Sequence, residues 1–141
     1  MKLKIMRSEM WKATIDDQPG GAAAVLDPVA QAGANLEFAF ARRAPEMPGK
    51  GLLFVTPVKG KKVVAAAQAA GLGLAPDMHL LRIEGGDKPG TTAAIARALA
   101  NAGISFRAFS ATAVGRNFKG FLVLDSTDDA ARAASVLKKL R

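Results

Sequence analysis

Asp17-Gln18-Pro19-Gly20 and Asp87-Lys88-Pro89-Gly90 are the segments whose residue types and spacing suit the binding of a charged ligand. Proline holds φ at about −65° where a helix starts. Glycine carries no Cβ, so a ligand can approach the main chain closely. The N–H groups of a helix's first turn have no intrahelical acceptor, and the helix dipole adds partial positive charge, so a carboxylate is favoured there. Asp17 or Asp87 can cap the helix or hold an ammonium group. A molecule with both charges, such as an amino acid, suits this chemistry. The same tetrapeptide also makes a good turn and helix start with no ligand at all, and the residues alone leave both readings open.

Other chemistries find less support. There is no cysteine, which excludes disulfides, thiolate metal sites and a cysteine nucleophile. His79 is the only histidine, and Glu9 stands at the matching place seventy residues earlier. No His and carboxylate cluster suggests a metal site, and no Ser-His-Asp arrangement can be placed. The phosphate-binding patterns G-x-x-x-x-G-K-[ST] and G-x-G-x-x-G are absent. Asp16-Asp17 and Asp128-Asp129 read as caps at element starts. The expectation is a protein that is not an enzyme and needs neither metal nor cofactor.

The elements that must position the two turns come from an internal repeat. The turns match at an offset of 70, as do Ala32-Gly33 and Ala102-Gly103, while Lys50-Gly51 matches Lys119-Gly120 at an offset of 69. The one-residue slip is assigned to the loop carrying Pro45 and Pro48. Each copy opens with an alternating strand: Trp11, Ala13 and Ile15 share one face, and Leu81 and Ile83 take the same register. A helix follows each Pro-Gly, with Val25 and Val29 or Ile95 and Leu99 inward, and ends at Gly33 or Gly103. Pro28 is expected to kink the first of these helices. Strands at 36–42 and 106–114, strands at 51–58 and 120–125, and helices at 61–70 and 127–140 complete the pattern. The fold class is therefore α+β: two ferredoxin-like βαββαβ modules with antiparallel sheets. Residues 8–76 form the first and 77–141 the second. Strand 72–76 closes the first; residues 1–7, polar-apolar alternating, are expected to supply the missing edge strand of the second. Their deletion should destabilise that half.

Leu52, Leu53, Phe54 and Val55, and Phe121 to Leu124, run without alternation, which implies cover on both faces of the sheet. A second sheet or a second chain is expected there, hence a homodimer; the alternative is the chain's own termini. The 141 residues carry a net charge of +8. The basic residues are scattered among acidic ones, as on a solvated surface rather than a nucleic-acid groove. The first residues lack the apolar stretch of a secretory signal, and no apolar run approaches the roughly 20 residues needed to cross a bilayer. A cytoplasmic protein without membrane attachment is expected.

The first strand, the D-x-P-G turn, the helix, and then Ala32-Gly33-Ala34-Asn35-Leu36 or Ala102-Gly103-Ile104-Ser105-Phe106 resemble the ACT domain, twice over nearly the whole chain. The resemblance implies a stand-alone sensor of a small molecule, an amino acid, acting through a partner enzyme or regulator. It implies side-by-side pairing through second strands and a ligand held between modules near the turns. The ligand groups would be Asp17, Gln18, Pro19, Gly20 and Asn35 in one copy. In the other they would be Asp87, Lys88, Pro89, Gly90, Ile104 and Ser105. Ser105 departs from the family's asparagine, and Gly21 after Gly20 suggests a looser first loop, so the two sites need not be equivalent. A pairing module that has lost its ligand is the alternative. RNA-recognition modules share the βαββαβ order, but Lys119-Gly120-Phe121-Leu122-Val123-Leu124 lacks the second stacking aromatic of their third strand.

Overall fold

The computed structural model describes residues 1–140. The fold is α+β. In chain order the elements are β1 (Lys4–Asp16), α1 (Gly21–Gln31), β2 (Phe38–Arg43), β3 (Lys50–Thr56) and α2 (Lys61–Ala69). They continue with β4 (Gly73–Gly86), α3 (Thr91–Asn101), β5 (Ala108–Val114), β6 (Asn117–Leu124) and α4 (Thr127–Lys138). The chain divides into two compact units, residues 9–76 (the first unit) and residues 1–8 with the chain from Asp77 onward (the second unit).

In the first unit the strand order is β2-β3-β1-β4, with β3 antiparallel to both β1 and β2. Trp11, Ala13, Leu53 and Val55, alternating along their strands, pack with Val25 and Val29 of α1 and Val63 and Ala67 of α2. The period of two along the strands and of four along the helices puts these side chains on facing surfaces. The helix α1 runs on through Pro28 to Gln31. On the other face of β3, Leu52 and Phe54 are only half-buried, and Phe54 stacks on the exposed Phe40 ring with centroids 6.4 Å apart.

In the second unit the order is β5-β6-β4-β1, and the antiparallel neighbours of β6 are β4 and β5. Leu3 and Ile5 lie in its core with Leu81, Ile83, Ile95, Leu99, Leu122 and Leu137. Burying side chains of this kind contributes about 1.5–3 kcal/mol each. The sequence pattern suggests separate strands on either side of residues 7–9 and 77–78, yet β1 and β4 each run unbroken and contribute to both units. Polar residues interrupt the apolar alternation there without bending the extended backbone. Each strand carries two successive buried residues there, Met10 with Trp11 and Leu80 with Leu81.

The register corrects the sequence alignment of the two copies. Trp11 pairs with Val55, whereas Leu81, seventy residues on, pairs with Leu122. Likewise the Asp17 N–H donates to the Gly49 carbonyl, and the Asp87 N–H to that of Arg116. The third strands are therefore offset by 67, and the Lys-Gly dipeptides at 50 and 119 are two residues out of register. The slip is three residues, not one, and falls between second and third strands: residues 44–49 link β2 to β3, but Gly115 and Arg116 alone link β5 to β6. Pairing with the first strand fixes the equivalence, because Asp16 lies across from Lys50, and Gly86, seventy residues on, across from Asn117. By this register Gly51 corresponds to Phe118, and Arg42 and Arg43 to Thr112 and Ala113.

Candidate functional site

Each D-x-P-G turn ends on a glycine in the left-handed region, Gly20 at φ 89° and Gly90 at φ 86°, directly before α1 and α3. The prolines thus sit in the turn and not at the first helical position. No side chain caps either helix, so neither aspartate is a cap. The Gly21 N–H donates to the Gln18 carbonyl at 3.0 Å and that of Ala24 to Gly20 at 3.0 Å. The second turn repeats this with Thr91 to Lys88 at 3.3 Å and Ala94 to Gly90 at 2.9 Å. Between them the N–H groups of Ala22 and Ala23, and of Thr92 and Ala93, have no protein acceptor among the described residues. Gly21 is not slack: a Cβ there would lie 2.0 Å from the Asp16 carbonyl oxygen. The extra glycine makes the first turn tighter than the sequence suggests.

The first turn borders a cleft of about 560 Å³ lined by Ile15, Asp16, Asp17, Gln18, Pro19, Ala22, Ala41, Arg42, Arg43 and Gly51. Its charges are paired. Arg43 Nε donates to Asp17 Oδ2 at 2.6 Å, and Lys50 Nζ to Asp16 Oδ1 at 2.6 Å. Arg42 Nη2 donates to Glu46 Oε2 at 3.3 Å and Nη1 to the Arg43 carbonyl. Glu46's own backbone N–H, and then Arg42, hold its carboxyl below the usual value. Pairs this exposed add little to stability, so a ligand's charges can replace a partner at small cost. Gly51 lies in the wall of the cleft, where the Ile15 side chain and the Arg42 carbonyl fill the place of a side chain.

The second turn has a different neighbourhood. Thr112 and Ala113 take the places of the two arginines, and Phe118, 3% exposed, stands in the core where the first unit has Gly51. Across from it Gly85 replaces Ile15, and a Cβ on Gly85 would meet Leu3 Cδ2 at 2.8 Å. Asp87, Lys88, Pro89 and Gly90 are exposed.

The remaining expected ligand groups lie at the far end of each helix. Eleven residues of α1 separate the turn from Asn35, about 16 Å of helix, and α3 separates Ile104 and Ser105 from their turn likewise. Asn35 and Ser105 are exposed. Ile104 is 6% exposed in the core, and its N–H donates to the Leu99 carbonyl at 2.9 Å. His79 is half-buried on β4 opposite Leu124. Among the described residues no His, Cys, Asp and Glu cluster fits a metal ion, and no helix is long and apolar enough to cross a membrane. Sequence reasoning does not mark Arg42, Arg43 and Gly51 as cleft residues, because only the pairing of β2 with β3, which sets Arg43 across from Gly51, brings them to the turn.

Comparison with known proteins places one ACT domain at residues 79–141. No curated protein matches the sequence. Among solved structures, protein BT0572 from Bacteroides thetaiotaomicron is similar with a TM-score of 0.75 at 16% identity, over 96% of this chain and 99% of that one. The ligand-free regulatory subunit of aspartate kinase from Thermus thermophilus has a TM-score of 0.64 at 18% identity, over 96% of this chain and 95% of that one. The regulatory subunit of aspartate kinase from Thermus flavus has a TM-score of 0.59 at 17% identity, over 96% and 95%. At such identities the likeness is one of fold.

Proposed function

With the ACT domain of residues 79–141 as premise, we propose that residues 9–76 form a second, diverged module of the same kind. The chain is then a non-catalytic regulatory protein that binds an amino acid in the cleft beside residues 17–20 and acts through a partner protein. The observation that carries the reading is the grouping of Asp16, Asp17, Arg42 and Arg43 around a helix start whose Ala22 and Ala23 N–H groups have no acceptor. An amino acid's carboxylate fits the arginines and the N–H groups, and its ammonium fits an aspartate. The fold shared with proteins described as regulatory subunits of aspartate kinase supports a regulatory role.

The ligand would bridge the start of α1 and the end of β2, and so favour one arrangement of residues 44–49. It shifts that equilibrium only by its differential affinity for the two arrangements. A partner that reads this hairpin reads out the ligand. Pairing of two copies through β2, an edge strand whose Phe40 is 49% exposed, belongs to the same reading. A thermal-shift screen of the twenty amino acids tests it: at least one should raise the melting temperature, and Arg43→Ala should abolish the rise. No shift with any amino acid would end the proposal.

A further inference from the structure

We propose that the second unit holds a separate anion site, for a phosphate-bearing small molecule, in the cleft ringed by Lys2, Lys4 and Lys119. This cleft has a volume of about 500 Å³ and is not the one beside residues 17–20. Two of its lining residues are anchored in the core, Leu3 at 7% and Phe118 at 3% exposed, and Gly85 leaves room for the β1 segment to lie close. Leu3 points into the core, so Lys2 and Lys4, on either side of it, take the opposite face. Lys119 lies across from Glu84 on neighbouring strands.

The charge at this cleft is unbalanced. None of the three lysines has a carboxylate partner among the described residues. Glu84 is the one carboxylate in the lining, and Arg82 Nη2 holds it at 2.8 Å. Like charges gathered around a concave surface repel, and the field focused there draws an anion. The fold does not require this charge. Lys119 corresponds by register to Leu52, so the same strand is built elsewhere in the chain with an apolar residue. Lys119 is also half-buried, which restricts where its side chain can go.

Three ammonium groups around a small basin suit a compact, multiply charged group such as a phosphate or pyrophosphate. The volume lies in the range of small-molecule sites, about 300–1,000 Å³. A nucleic acid would instead follow a basic stripe along the surface.

The test uses the whole chain and inorganic pyrophosphate in an NMR titration. The expected result is saturable movement of the amides at residues 2–4, 84–85 and 117–119, with those at 17–20 unmoved. Lys119→Glu should weaken binding about tenfold or more at an unchanged melting temperature without ligand. Lys61→Glu, on α2 of the first unit, should leave it intact. Absent or unsaturable shifts would overturn the proposal, as would equal loss in both variants. Stronger perturbation of the same residues by a short RNA or by phosphatidylserine vesicles would overturn it too, in favour of that partner.

Discussion

Gly51 and Phe118 hold one register position in the two units, and the residues across from them are inverted, Ile15 against Gly85. One large side chain per pair is what the space allows. A Cβ on Gly51 would come 2.8 Å from the Arg42 carbonyl oxygen and 3.2 Å from Ile15 Cγ1. Gly51→Phe should therefore destabilise the protein by about 1–3 kcal/mol as overpacking, and adding Ile15→Gly should recover part of that loss. Urea denaturation of both variants checks the order.

Glu46 makes a second residue-scale prediction. Its carboxyl lies below the usual 4.5 because its own backbone N–H stabilises the charged form, with Arg42 second. A depressed folded value means that the charged Glu46 favours the folded hairpin above the ordinary carboxylate value. That contribution disappears as pH falls through the lower folded value. NMR titration should find Glu46 below 4.5. In Arg42→Ala it should rise only partway, because the larger cause remains. A full return to the ordinary value would show that the arginine dominates.

At the scale of elements, β1 serves two units with one stretch of backbone. Leu3 and Ile5 face the second unit's core, and Trp11 and Ala13 that of the first. Leu3→Ala with Ile5→Ala should cost about 2–5 kcal/mol for each cavity that cannot collapse. Hydrogen exchange should speed most in α3 and α4, and least in α1 and α2; uniform acceleration in all four helices would count against the division of the core. The helices and most strands were legible in the sequence because their inward residues recur at four and at two. The continuity of β1 and β4 was not, because Ser8, Glu9 and Asp77 are polar while the backbone stays extended through them. The third-strand register was not legible either. A Lys-Gly dipeptide occurs in both copies, but hydrogen bonds to the first strand decide equivalence, and the six residues 44–49 absorb the difference. The turns could be read as chemistry; the arginines across from the first one required the correct register.

The whole molecule is a repeat in backbone and not in chemistry. Both halves set an uncapped helix behind a left-handed glycine. Only the first faces that helix start with Arg42 and Arg43. The second offers Thr112, Ala113 and the Phe118 ring at those places. A symmetric sensor would bind two equivalent ligands, but this distribution of charge and volume argues for one. Under the proposed function, calorimetric titration with the amino acid that shifts the melting temperature should therefore give a stoichiometry of one per chain. Exchanging Arg42 and Arg43 for threonine and alanine, as in the second unit, should remove that single site without creating weak binding elsewhere. Two sites of equal affinity would mean that the backbone N–H groups alone suffice for recognition, and that the arginines contribute nothing to it.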